Sequence, residues 1–192
     1  MNNKLNDSLE LDTYNKRRRF LHVSRNALLT FLNNLSAPFI RPSEKGNRAV
    51  FVVGCGHSGT TLLAATLGKN SNCEAIGWET GVFLARNGHS ASKLAYENMI
   101  NFFDHVDRWV VEKTPKHVHV FSKIRKLVPK SRFLIVTRNP IDNCASLYER
   151  HKDLRYAVSR WNKDNDASKK LIKLDQNVLW VRYEDLVSDP KK

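Results

Sequence analysis

The sequence predicts a three-layer α/β domain on a mainly parallel sheet of about four or five strands. Three observations predict it. Short apolar, β-branched runs recur at residues 50–53, 109–111, 133–137 and 178–181. Stretches with helical spacing separate them, as successive strand–helix–strand units with right-handed crossovers require. The first run ends in a glycine-rich turn followed by two threonines and an apolar helical pattern.

That first stretch organises the chain. Val50-Phe51-Val52-Val53 runs into Gly54-Cys55-Gly56-His57-Ser58-Gly59-Thr60-Thr61-Leu62-Leu63. Glycines let a backbone turn tightly and aim its N–H groups at an anion, and the following helix adds its N-terminal dipole. The spacing nearly matches G-x-x-x-x-G-K-[ST]. Gly54 and Gly59 take the glycine positions and Thr61 that of the metal-binding hydroxyl, but Thr60 stands where the phosphate-neutralising lysine belongs. Ordinary ATP or GTP hydrolysis is therefore disfavoured. What remains is a cradle of backbone amides with Ser58, Thr60 and Thr61, suited to one phosphate-like group plus a neighbouring anion.

The other elements follow in order. Residues 1–14 lack periodicity, and Lys16 to Arg19 form a basic cluster. Phe20 to Leu35 is spaced like one helical face; it reads as a helix packed on the domain or, alternatively, as an interfacial membrane or partner-binding helix. Pro38, Pro42, Ser43 and Gly46 read as a linker, so the chain divides into a basic extension, 1–47, and an α/β domain, 48–192. Leu62 to Leu67 is the first domain helix, and 71–77 returns the chain to the sheet. Ser90 to Phe103 is helical, Trp109-Val110-Val111 a strand, and Val118 to Val128 a helix stopped by Pro129. Phe133 to Thr137, apolar and continuous, is the clearest buried strand. A helix follows Pro140, residues 151–175 form one or two exposed helices, and Val178 to Val181 is a further buried strand.

Composition bounds the function. A chain of 192 residues is one domain, and its net charge of +13 suits an anionic cofactor, an acidic acceptor, nucleic acid or an acidic membrane surface. No basic–aromatic motif marks a nucleic-acid reader. The three cysteines, Cys55, Cys73 and Cys144, form neither a metal spacing nor a disulfide framework, which favours a reducing compartment. The histidines show no metal pattern. No run is long enough to span a membrane, and the polar first dozen residues are unlike a signal peptide.

The loop Gly56-His57-Ser58-Gly59-Thr60-Thr61-Leu62-Leu63 resembles the 5′-phosphosulfate loop of sulfotransferases that use 3′-phosphoadenosine 5′-phosphosulfate (PAPS). It is most similar to the branch that includes tyrosylprotein sulfotransferases and bacterial relatives. That loop usually reads Pro-Arg or Pro-Lys before Ser-Gly-Thr-Thr; here Gly56-His57 replaces a permanent cation by one only partly charged near neutrality. Four further segments carry the resemblance. Trp78-Glu79-Thr80 and Glu112-Lys113-Thr114-Pro115 are similar to recurrent family segments. Arg138-Asn139-Pro140, with Ser146 eight residues after the arginine, is similar to the family's Arg-Asp-Pro turn and helix, and Arg182-Tyr183-Glu184-Asp185-Leu186 to a later signature.

The resemblance implies sulfonate transfer from PAPS to a hydroxyl, or secondarily an amine, of a carbohydrate, peptide tyrosine or small metabolite. It implies that His57, Ser58, Gly59, Thr60 and Thr61 hold the 5′-phosphosulfate, and that Arg138, Ser146 and Arg150 hold the 3′-phosphate. Ser146 and Arg150 lie four apart on one helix face. Tyr183 would contact the nucleotide, Glu79 would take the acceptor proton, and Lys113, with His57, would stabilise the leaving charge. No metal is required. Relatives continue past this point with a loop over the nucleotide, so the chain reads as C-terminally short. Lumenal eukaryotic relatives carry a membrane anchor, so its absence favours a cytoplasmic, bacterial-type protein. Two alternatives stand: a phosphotransferase with a divergent loop, and a non-catalytic nucleotide- or polyanion-binding module.

Overall fold

The computed structural model describes residues 42–43, 48–84 and 93–189. The basic N-terminal cluster and the helix expected after it lie outside the described residues. Ser43, read as linker, is buried; its amide donates to the Leu127 carbonyl at 2.7 Å and its hydroxyl to Asp104.

Five strands form one sheet: β1 (Ala49–Gly54), β2 (Cys73–Ala75), β3 (Trp109–Lys113), β4 (Arg132–Thr137) and β5 (Val178–Arg182). Their order is β2-β3-β1-β4-β5 and every pairing is parallel. β1 is central because it is apolar on both faces. Phe51 and Val53 enter one core with Phe83, Phe103, Ile124, Phe133 and Leu171. Val52, on the other face, packs with Leu63, Ala64, Val111 and Val136. The alternating side chains of a strand meet two helical layers this way.

The helices are α1 (Thr60–Leu67), α2 (Lys93–His105), α3 (Phe121–Leu127), α4 (Pro140–His151), α5 (Leu154–Leu174) and α6 (Tyr183–Ser188), with a 3-10 turn at Pro115–Val120 before α3. Side chains of α1 and α6 contribute to the Val52 core; those of α2, the 3-10 turn, α3 and α5 contribute to the Phe51 core. Pro115 starts the 3-10 turn, a position where its missing N–H costs nothing. Asn139 caps α4: its Oδ1 accepts from the Ile141 amide at 2.9 Å, with Pro140 at the first turn.

Two expectations shift. Residues 154–174 form a single helix, one of the two forms expected, but it is not exposed throughout: Ala157, Asp164, Ser168 and Leu171 make a buried stripe along it. β5 is an edge strand, with Leu179 61% and Trp180 59% exposed. Its apolar run marked a strand, but among the described residues it has a neighbour on one side only.

Because β3 and β4 flank β1, the chain leaves β1 at the point where strand order reverses. Open α/β sheets form their ligand crevice there, beyond the strands' C-terminal ends. Among the described residues no helix is long and apolar enough to cross a membrane.

Candidate active site

The loop after β1 keeps its shape through three local devices. Gly54 has φ 137°, and a Cβ there would lie 2.4 Å from the Val136 carbonyl oxygen. Gly59 has φ 97°, and a Cβ there would lie 2.3 Å from the Tyr183 ring. The Ser58 hydroxyl is buried and directed to the carbonyls of Cys55 (2.7 Å) and Val136 (3.0 Å). Of the three loop hydroxyls, Ser58 thus shapes the cradle, while Thr60 and Thr61 line the cleft. Gly59→Ala should destabilise the protein by about 1–3 kcal/mol from backbone strain alone, and displace Tyr183; a shifted urea midpoint with altered tyrosine fluorescence would register both.

His57 takes φ 66°, a left-handed conformation that a non-glycine residue adopts at a cost. Its Nδ1 lies 2.9 Å from the Ser146 Oγ on α4. Asn143, also on α4 and fully buried, donates from Nδ2 to the Gly56 carbonyl at 2.9 Å. The loop and α4 are therefore one unit. Burial pushes the His57 imidazole below its ordinary 6.5, and the nearby charges of Arg150, His151, Arg160 and Arg138 push the same way. His57 is thus mostly neutral at pH 7, less charged than the sequence alone suggests.

Arg138, at the end of β4, donates from Nη1 to the His57 carbonyl at 3.4 Å, and its guanidinium lies 4.5 Å from the centre of the Tyr183 ring. Its Nε is buried with no hydrogen-bond partner among the described residues. Arg150 lies on the rim of a cleft of about 450 Å³, lined also by Gly56, His57, Thr60, Thr61 and Glu79, by Lys116 from the 3-10 turn, and by His151, Tyr156 and Arg160. Glu79 is the single carboxylate among these lining residues, beside Lys116, Arg150 and Arg160, so the cleft carries a positive field.

Glu79 and Lys113 meet: the lysine Nζ donates to the glutamate Oε1 at 3.1 Å. With Glu79 44% exposed, such a pair contributes at most about 1 kcal/mol, so a bound ligand can replace it. A buried knot beneath holds the two segments together. Glu112 on β3 accepts from Thr80 Oγ1 (2.7 Å) and Thr114 Oγ1 (2.6 Å), and pairs with His117 Nδ1 at 2.9 Å. Thr114 in turn accepts from the Gly81 amide at 3.1 Å. Burial pushes the Glu112 carboxyl up, but attraction to His117 and these hydrogen bonds outweigh it, leaving it below its ordinary 4.5. Its contribution to stability is therefore complete above pH 4.5 and is lost as pH falls through the lower folded-state value. Glu112→Ala strands His117 and two threonines and should cost about 3–5 kcal/mol in urea unfolding at pH 7.

A second network was not anticipated. Buried Asp164 on α5 accepts from Arg160 Nε at 2.6 Å and lies 2.6 Å from His119 Nε2, while Arg160 Nη1 donates to the Tyr156 hydroxyl at 3.0 Å. The one available signal was an aspartate on the apolar stripe of α5. Cys55, beside this network, has its thiol pushed up by burial and by Asp164, which leaves it a poor nucleophile. Among the described residues no three His, Cys, Asp or Glu side chains group as metal ligands.

A parallel α/β sheet whose central strand opens a glycine-rich loop at the N-terminus of a helix, tied to a cation-bearing helix, defines a P-loop-type fold. The sulfotransferase family profile matches residues 85–192, more than half of the chain, and the chain belongs to that family. Solved structures share the fold. The sulfotransferase domain of the curacin biosynthetic pathway is 19% identical, with 74% of this chain and 69% of that one covered and a TM-score of 0.56. The sulfotransferase domain of a Synechococcus olefin synthase is 18% identical, over 79% and 70%, with a TM-score of 0.57. A sulfotransferase from Alicyclobacillus acidocaldarius is 16% identical, over 78% and 76%, with a TM-score of 0.55. No curated protein sequence matches the chain.

Proposed function

We propose that this sulfotransferase moves a sulfonate from PAPS to an acceptor hydroxyl, with an amine as the secondary choice. The observation that carries the reading is the joining of two anion-binding elements. The loop after β1 and the α4 residues expected to bind the 3′-phosphate are connected through the 2.9 Å contact of His57 with Ser146. The donor set fits a nucleotide with phosphate groups at both ends: loop amides with Thr60 and Thr61 at one, Arg138, Ser146 and Arg150 at the other. The buried, unpartnered Nε of Arg138 fits the same ligand, and Tyr183, under its guanidinium, would contact the nucleotide.

Bound PAPS supplies a sulfonate whose bond to the 5′-phosphate oxygen breaks as the acceptor oxygen takes its place, the electron pair leaving on the phosphate. Glu79 takes the acceptor proton. Lys113, held at Glu79, stabilises the charge that grows on the leaving side, and His57 donates a hydrogen bond there. The acceptor is a carbohydrate, a peptide tyrosine or a small metabolite.

Incubation with radiolabelled PAPS and a panel of those three acceptor classes tests the proposal. Label should pass to at least one class without added magnesium. Transfer from the γ-phosphate of ATP with magnesium, and none from PAPS, would contradict it.

A further inference from the structure

We propose that Arg160, reaching over from α5, supplies the permanent cation that the loop after β1 lacks, and that it acts on the 5′-phosphosulfate end of the donor. The inference rests on the sulfotransferase reading above. From Gly54 to Thr61 the loop contains no lysine or arginine. Thr60 stands where triphosphate loops carry their lysine, and His57 is drawn toward its neutral form by burial and by the cations around it. A loop of amides and hydroxyls alone would face a multiply charged group without a fixed counter-charge.

The guanidinium of Arg160 lies against that loop. A Cβ on Gly56 would stand 3.1 Å from Arg160 Nη2 and 3.7 Å from its Cζ, so the guanidinium packs directly on the loop backbone there and a side chain would crowd it by a few tenths of an ångström. Arg160 lines the same cleft as His57, Thr60, Thr61 and Glu79. It is also aimed. Asp164, 2% exposed, holds Nε at 2.6 Å, and the Tyr156 hydroxyl accepts from Nη1 at 3.0 Å. Those two bonds orient the fork and leave Nη2 on the loop side. His119 pairs with the other Asp164 oxygen at 2.6 Å and fixes the carboxylate itself. A cation pre-oriented by a buried partner stabilises developing charge without reorganising, which is what makes such groups effective in a water-poor cleft.

The test compares calorimetric affinities for 3′-phosphoadenosine 5′-phosphate, which has the 5′ group, and adenosine 3′-phosphate, which does not. Arg160→Gln keeps a shorter hydrogen-bonding side chain beside Asp164 and removes the charge together with the Nη contacts; Arg160→Lys keeps a charge, and the second ligand reports any loss through the fold. Arg160→Gln should weaken the first ligand by about tenfold or more, as loss of a charge-assisted contact does. It should leave the second within about threefold, a difference near the resolution of such titrations. Arg160→Lys should recover part of the loss. Equal affinities of wild type and Arg160→Gln for both ligands would overturn the assignment of Arg160 alone. Equal weakening of both ligands would also overturn it, because Arg160 would then act through the fold. Failure of the wild-type chain to bind 3′-phosphoadenosine 5′-phosphate would instead sink the donor reading, and this inference with it.

Discussion

Replacing Glu79 by glutamine should lower kcat by about a thousandfold, the middle of the range for loss of a general base. Affinity for 3′-phosphoadenosine 5′-phosphate should change by less than about threefold, because the amide keeps the shape and the lost group acts on the acceptor. The effect is large because no other carboxylate lines the cleft among the described residues. It is specific because Thr80, the next residue, is bonded to buried Glu112 and holds the segment in place whatever occupies position 79. Loss of the charge pairing with Lys113 costs at most about 1 kcal/mol, since its glutamate end is 44% exposed and the amide can still accept from the lysine. Steady-state rates with the best acceptor, alongside nucleotide titration, separate the two effects. Equal turnover would remove Glu79 from the proton-accepting role.

The second large effect falls on Arg138. Arg138→Ala should weaken 3′-phosphoadenosine 5′-phosphate by about 10- to 100-fold, the range for losing charge-assisted hydrogen bonds to a phosphate. AMP, without the 3′-phosphate, should be nearly unaffected. Arg138→Lys should not restore binding, because lysine lacks the planar fork that also lies over Tyr183. The fold should tolerate the change, since the guanidinium's contact with the His57 carbonyl is long and the stacking on Tyr183 contributes about 0.5–1 kcal/mol. Titration of both nucleotides against both variants checks this. Unchanged affinity for the doubly phosphorylated nucleotide would dissolve the assigned 3′-phosphate site.

What could be read from the sequence is what is written locally. The loop declares itself because glycines, hydroxyls and a following helix are contiguous, and its exits at Gly54 and Gly59 both carry positive φ. Arg138 and Ser146 are legible only through the family resemblance, because their eight-residue separation matches the family's turn and helix. β4 and β1 are legible because both are apolar on two faces, whereas β5 has a similar composition at a sheet edge, where apolar side chains stay exposed. Contacts between distant segments were not legible. Thr80 meets Glu112 across 32 positions, and His119 meets Asp164 across 45. Nothing in the charged run 151–175 distinguishes Arg160 from its neighbours until α5 turns one face onto the loop. Ser58 illustrates the complementary case. Its position in the motif is local information, but the direction of its hydroxyl, to Val136, depends on β4.

The central claim is that this chain carries joined sites for the two phosphate ends of one nucleotide. Calorimetric titration of the 192-residue chain with 3′-phosphoadenosine 5′-phosphate, against AMP and ATP–magnesium, tests it most directly. The account predicts selective binding of the first, at least about tenfold tighter than AMP, as an additional charge-assisted phosphate contact provides. Preference for ATP–magnesium, or equal affinity for AMP, would contradict it.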